Sequence, residues 1–256
     1  MYDWPEVMPY NDELWRLIHE ALLRRGFDAP PAIDREVVRE TAWLSPDLLI
    51  GQTCGLPFVR GVRQKAAVLG TFDYGIEGCD PGDYRSVIVC RRGESRPLPD
   101  FEGTRVAYNG RDSQSGHAAL VATVAPLVRD RKFFAETIES GAHRRSMQMV
   151  ADGSADVAAV DVVSWLLALD GEPATDALEV VGSTACTPGL PLITSRTRLA
   201  DREELNAAIH EATTALSQEA KRALHIHGYV PRLDSDYDVI EQRLAEAVAM
   251  GYPQLA

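Results

Sequence analysis

The chain has 256 residues, 45% of them hydrophobic and 25% charged, with a formal net charge of −12. That is an ordinary soluble composition and enough chain for one large packed domain or two smaller ones. The acidic balance excludes nucleic acid and anionic membrane surfaces as general partners, so an anionic ligand would need a local pocket. No stretch approaches the roughly eighteen consecutive apolar residues of a membrane-spanning helix. The first residues carry neither a basic segment nor an apolar core, so no secretory signal is read there and a cytoplasmic location stays open.

Taken in order, residues 10–25 form an amphipathic helix. Asn11 is its expected cap, Asp12 and Glu13 fill its first turn, and Gly26 ends it; Leu14, Ile18, Ala21 and Leu22 make its inner face. Asp34 is placed to cap a short second helix ending at Ala42. Residues 47–51 and 66–72 are buried strands, the first followed by the loop that contains Gly55. Tyr74 opens a loop rich in Gly, Asp and Pro, and residues 84–91, YRSVIVCR, are strand-like around Val87, Ile88 and Val89.

Residues 105–108 are the next short strand, and an apolar stripe of helical spacing begins at Gly116. Between them lie Ser113, Gln114, Ser115 and Gly116, two hydroxyls and a glycine at a helix start. The first helical turn leaves backbone N–H groups without intrahelical partners and carries partial positive charge, so added hydroxyls make a place for a tetrahedral oxyanion. The plainer alternative is that Asp112 or Ser113 caps the helix. Strands at 133–138, 156–160, 178–182 and 190–194 follow, with helices at 143–151 and 162–169 and then at 203–217, 218–225 and 236–250. Alternating strands and helices predict α/β sheets with ligands at the carboxyl ends of the strands.

Other residues stand out chemically. His143 opens a helix and could add a charge-assisted bond to an anion, or simply face solvent. Asp161 either caps the helix after it or accepts a proton from a monoprotonated oxyanion. Tyr74 and Tyr84 flank the glycine-rich loop as cleft aromatics or as packing. The four cysteines, Cys54, Cys79, Cys90 and Cys186, fit no zinc spacing. Cys54 and Cys79, both in glycine-flanked loops, are candidates to pair, whereas Cys90 ends an apolar strand and reads as a buried thiol. His225 and His227 lack partners spaced for a metal site. Ser115, His143 and Asp161 could be cast as a catalytic triad, but the G-x-S-x-G elbow is absent.

The runs at 84–89 (YRSVIV), 103–107 (GTRVA) and 112–116 (DSQSG), continued by 141–146 (GAHRRS), 153–161 (GSADVAAVD) and 187–191 (TPGLP), resemble the phosphate/phosphite/phosphonate-binding family. These are the solute-binding components of ABC importers. The resemblance spans about 47–194. It implies a two-lobed, type II periplasmic-binding-protein-like α/β clamp, each lobe a mixed, mostly parallel sheet flanked by helices. Residues 1–84 and 195–256 would form one lobe, with 85–194 inserted as the other. It implies hinge closure on a small oxyanion, no catalytic residues, no cofactor and no metal. The protein would act as a monomer that delivers ligand to permease and ATPase subunits outside the cytoplasm. Ser113, Gln114, Ser115 and Gly116 would hold the oxyanion with His143 and Asp161, Tyr84 would line the cleft, and Gly55 and Tyr74 would contribute from the first lobe. The acidic residue that relatives place after the Pro-x-x-Pro turn is absent here, where Leu192, Ile193 and Thr194 follow Pro191, so an amino group on the ligand would lack that partner. Two alternatives remain: an enzyme of the same fold acting on a carboxylate metabolite, and a cytosolic ligand sensor.

Overall fold

The computed structural model describes residues 2–128 and 132–255. The elements run in chain order as α1 (Met8–Arg24), α2 (Arg39–Leu44), β1 (Gly51–Gln52), α3 (Gly55–Arg60), β2 (Ala66–Asp73), β3 (Asp83–Tyr84), β4 (Ser86–Arg91), β5 (Arg105–Tyr108), a π-helical turn (Gln114–Ala118) continuing into α4 (Ala119–Val124), and β6 (Glu136–Glu139). There follow α5 (His143–Ala151), β7 (Val157–Asp161), α6 (Val162–Leu169), β8 (Leu178–Ser183), β9 (Thr187–Pro188), β10 (Leu192–Ser195), α7 (Arg202–Ala215), α8 (Gln218–Leu224), β11 (Gly228–Pro231) and α9 (Asp238–Ala249). The chain divides into two compact units, Met1–Asp83 with Pro188–Tyr237 and Tyr84–Thr187 with Asp238–Ala256.

In the first unit a sheet ordered β1-β10-β2-β11 has antiparallel pairs between each of its described neighbours. Helix α1 buries Leu14, Ile18, Ala21 and Leu22, the face expected from its periodicity. It starts earlier than expected because a proline sits in its first turn, where a missing N–H costs nothing. Asn11 therefore lies inside the helix, donating from Nδ2 to Tyr2 O and Asp3 Oδ1. Gly26 follows at φ +81°, a conformation that ends the helix. Asp34 caps no helix: it accepts from the N–H groups of Glu36 and Val37 in a local turn, and α2 begins five residues later.

The second unit carries a five-stranded sheet ordered β6-β5-β7-β4-β8. Strand β5 pairs in parallel with β6 and β7, while β4 runs antiparallel to both β7 and β8. The expected mostly parallel sheets are thus corrected: β4 is reversed because it enters directly from the preceding segment, without a crossover helix. Parallel pairing needs such a crossover, which the helical run 114–124 supplies between β5 and β6 and α5 supplies between β6 and β7. Strands β4 and β7 lie inside the sheet and are buried almost throughout, which their runs SVIVCR and VAAVD anticipate.

The core of this unit joins Ile88, Val106, Leu120, Val124, Phe133 and Phe134, with Ala247, Tyr252 and Leu255 from the C-terminal segment. Each fully buried large aliphatic among them contributes roughly 1.5–3 kcal/mol. Those last three contacts explain why 238–256 joins the second unit, whereas the sequence reading put that segment with the first. Phe133 and Phe134 precede β6 and pack edge-to-face at 4.8 Å, so the expected strand over 133–138 begins later. Cys54 and Cys90 are buried thiols outside any disulfide, and burial pushes the Cys90 thiol pKa up. Cys79 is disulfide-bonded and Cys54 is not, so the expected pairing of these two does not occur.

Candidate functional site

Strands β5, β6 and β7 are adjacent and parallel, so their carboxyl ends lie along one edge of the second unit's sheet. The chain leaving β5 reaches Ser113 and the π-turn, that leaving β6 reaches His143, and β7 ends on Asp161. Chain order thereby becomes a cluster.

Ser113 is the N-cap: its Oγ accepts from Gly116 N at 3.1 Å. Its carbonyl accepts from Ala118 N at 3.0 Å, the five-residue step of a π-turn. Such turns widen the backbone locally and recur at functional sites. The hydroxyls of Ser113 and Ser115 are 3.4 Å apart, and Ser115 Oγ lies 2.9 Å from His143 Nε2. Asp161 Oδ2 stands 3.8 Å from the same Nε2.

Asp161 is also the N-cap of α6, accepting from Ser164 N (2.9 Å) and from Ser164 Oγ (3.2 Å). Capping and proximity to the imidazole coexist in one carboxylate. Ser113, Gln114, Ser115 and Asp161 are each at most 5% exposed. Burial pushes the His143 pKa down, partly opposed by the charge of Asp161, so the imidazole is neutral at pH 7.

Gly116 is required by close approach. A Cβ there would stand 2.0 Å from Asn109 Oδ1 and 3.1 Å from His143 Cε1. Ser86 Oγ donates to Ser115 O at 2.9 Å and secures the turn from beneath.

Tyr84 is buried, and its hydroxyl donates to Gln114 Oε1 at 2.8 Å. Gln114 Nε2 donates to Thr187 Oγ1 at 3.0 Å. Of the residues singled out from the sequence, Ser113, Gln114, Ser115, Gly116, His143, Asp161 and Tyr84 all fall in the second unit. Gly55 and Tyr74 belong to the first, where Gly55 opens α3 after Cys54 and Tyr74 packs edge-on against Tyr2 at 5.7 Å.

Sequence reasoning missed Asn109, Ser86, Ser164 and Thr187. Ser86 carried a weak signal, a small hydroxyl opening an apolar strand; Thr187 opens the TPGLP run of the resemblance but was given no role there. A cavity of about 340 Å³ in this unit is lined by Gln114 and Thr187 together with Ala118, Ala122, Ile240 and Arg243.

The triad assignment fails on geometry. In a Ser-His-acid triad the acid holds the ring nitrogen opposite the nucleophile. Here Ser115 and Asp161 approach the same nitrogen, and His143 Nδ1 is buried without a hydrogen-bond partner among the described residues.

Two α/β units, with candidate ligand groups at the carboxyl ends of parallel strands, define a two-lobed protein of the periplasmic-binding type. Solved structures share this fold. XAC2383 from Xanthomonas citri, bound to chloride ion, is 15% identical; the match covers 97% of this chain and 96% of that one at a TM-score of 0.68. PhnD1 from Prochlorococcus marinus, in complex with methylphosphonate, is 17% identical over 93% of each chain at a TM-score of 0.71. A binding protein component of an ABC phosphonate transporter from Pseudomonas aeruginosa is 17% identical, over 95% of this chain and 83% of that one, at a TM-score of 0.64. No curated protein sequence matches the chain.

The family model described as "ABC transporter, phosphonate, periplasmic substrate-binding protein" matches residues 45–237, more than half of the chain. The chain therefore belongs to that family: it is a substrate-binding component of ABC transport, of a periplasmic class. Among the described residues no helix is long and apolar enough to cross a membrane.

Proposed function

We propose that this protein captures a small phosphorus oxyanion of the phosphonate class on the turn Ser113–Gly116, with His143 and Asp161, and hands it to ABC permease and ATPase subunits. The observation that carries this reading is the largely buried pair Ser115 Oγ and His143 Nε2, 2.9 Å apart, which joins the turn after β5 to the start of α5. Helix-start N–H groups favour an anion, hydroxyls donate to its oxygens, and burial strengthens both. A neutral imidazole can donate one N–H to an oxyanion. The Asp161 carboxylate beside it disfavours a fully ionised ligand and suits one that retains a proton to share, as a monoprotonated phosphonate does. The methylphosphonate bound to PhnD1 is consistent with the same ligand class here.

The protein acts in this reading as a monomer outside the cytoplasm and breaks no bond, which the failed triad geometry supports. Ligand stabilises the ligand-bound conformation by its differential affinity. The test is isothermal titration of the purified, ligand-stripped protein with methylphosphonate, phosphite, phosphate, aminoethylphosphonate, sulfate and acetate. A phosphorus oxyanion should bind, and Ser115→Ala should weaken it about tenfold, the order expected for one charge-assisted hydrogen bond. The melting temperature of the ligand-free protein should barely move. Binding of acetate alone, or undiminished affinity in Ser115→Ala, would overturn the reading.

A further inference from the structure

The resemblance that placed Gln114 among the ligand contacts does not describe what its side chain does. Gln114 is 3% exposed, and both ends of its amide are engaged within the second unit: Oε1 accepts from Tyr84 OH at 2.8 Å, and Nε2 donates to Thr187 Oγ1 at 3.0 Å. Its backbone carbonyl meanwhile accepts from Ala119 N across the π-turn. The side chain also lines the cavity of about 340 Å³, so packing does not enclose it on that side. Directional hydrogen bonds are then what fix its rotamer.

We infer that Gln114 is a positioning residue for the oxyanion turn. It ties that turn to Tyr84 and Thr187, the first and last residues of the longer of the second unit's two segments, and thereby sets the distance between Ser115 Oγ and His143 Nε2. The inference rests on the Ser115–His143 pair being the ligand site. Other bonds hold the turn to its own strand and to the sheet beneath: Ser113 N donates to Gly110 O, Ser86 Oγ holds the Ser115 carbonyl, and the Ser113 hydroxyl closes the cap onto Gly116. Without the amide, the widened π-turn loses its links to Tyr84 and Thr187, and Ser115 is free to drift by the few tenths of an ångström that separate a good hydrogen bond from a poor one. Thr187 is the cleaner partner to test, because it touches Gln114 without belonging to the oxyanion cluster.

The experiment combines two readouts on wild type, Gln114→Met, Thr187→Val and the double variant. The first is affinity for methylphosphonate and for inorganic phosphate by titration calorimetry. The second is the ¹⁵N resonance of the His143 imidazole in the ligand-free protein, which reports the Ser115 bond independently of any ligand. A positioning role predicts about tenfold weaker binding in Gln114→Met, a several-fold loss in Thr187→Val, and a double variant no weaker than Gln114→Met alone. The His143 Nε2 resonance should shift in both single variants. Direct ligand contact by Gln114 would instead give a loss in Gln114→Met, none in Thr187→Val, and an unmoved His143 resonance. A purely structural role would lower the melting temperature with affinity and resonance unchanged; either result overturns the inference. If wild type binds neither anion while the His143 resonance still moves with both variants, the positioning role stands and the oxyanion reading of the site fails.

Discussion

Gly116 offers the sharpest steric test of the site. Replacing it with alanine places a Cβ 2.0 Å from Asn109 Oδ1, 3.0 Å from Asn109 Cγ and 3.1 Å from His143 Cε1. The Asn109 oxygen is buried with no hydrogen-bond partner among the described residues, so its amide rotates away at modest cost. The imidazole has less freedom, because Nε2 is committed to Ser115 Oγ at 2.9 Å. Alanine gains about 1 kcal/mol over glycine in a helical segment, while overpacking costs about 1–3 kcal/mol. The net effect on the ligand-free protein is a loss of about 0–2 kcal/mol, or up to about 8 °C in melting temperature at this chain length. Ligand affinity should fall as well, about tenfold (about 1.4 kcal/mol), because a displaced ring no longer meets Ser115. Adding Asn109→Ala removes the 2.0 Å contact but leaves the 3.1 Å one. The double variant should therefore recover only the part of the stability lost at Asn109, and none of the affinity. Differential scanning fluorimetry and methylphosphonate titration on wild type and the two variants separate the two effects. A Gly116→Ala protein that melts no lower and binds as tightly as wild type would refute the close-approach argument.

Two further predictions concern protonation. Asp156 is held at about 2, below its ordinary 3.8, chiefly by hydrogen bonds from the Arg105 side chain, with Arg91 also in reach. A depressed carboxylate stabilises the fold above its unfolded pKa and loses that contribution as pH falls from about 3.8 to about 2. Solvent screening of this partly exposed network reduces the benefit to about 1 kcal/mol. Asp156→Asn should lower urea stability by that amount at pH 7 and match wild type near pH 2; an equal gap at both pH values would sink the linkage. For His143 the folded pKa is also depressed, so the unfolded chain takes up the proton first and stability falls as pH drops below about 6.5. Urea unfolding at pH 7.5 and 5.5 should show a larger loss for wild type than for His143→Gln, and identical losses would rule out a buried neutral imidazole.

The parts of the fold legible in sequence were those with local determinants. The bounds of α5 and α6 match their expected spans, and Asp161 caps α6 as its position ahead of an apolar helix implied. The core-facing stripe of α1 and the strand at 105–108 were legible for the same reason. Strand β11 was missed because its four residues, GYVP, include a glycine and a proline and match no alternating pattern; it is held by pairing with β2. Strand β1 shrinks to two residues because its pairing with β10 covers only Gly51 and Gln52. Of the site, the residue types and their order were readable, since each follows a strand of one parallel set. The π-turn, the Gln114 tethers and the Asn109 approach were not, because each depends on distances across the unit.

On the proposed reading, a protein of net charge −12 holds an anion through the kind of donors that surround the turn. Two arginines close in sequence face carboxylates: Arg144 Nε lies 2.6 Å from Glu172 Oε2, and the exposed Arg111 is 3.9 Å from Glu139. Neither arginine is left to supply a bare charge to the turn. Among the described residues the donors around Ser115 include hydroxyls, helix-start N–H groups and a neutral imidazole, all largely shielded from solvent. Such groups recognise shape and protonation state more than charge, because their dipoles are fixed by the fold and shielded from water. A carboxylate can then stand 3.8 Å from the imidazole without defeating anion binding, provided the anion keeps a proton to share with it. The same arrangement penalises a fully ionised tetrahedral anion such as sulfate, which has no proton for Asp161. Net charge therefore limits non-specific attraction, while a few fixed dipoles on one edge of one sheet decide what is held.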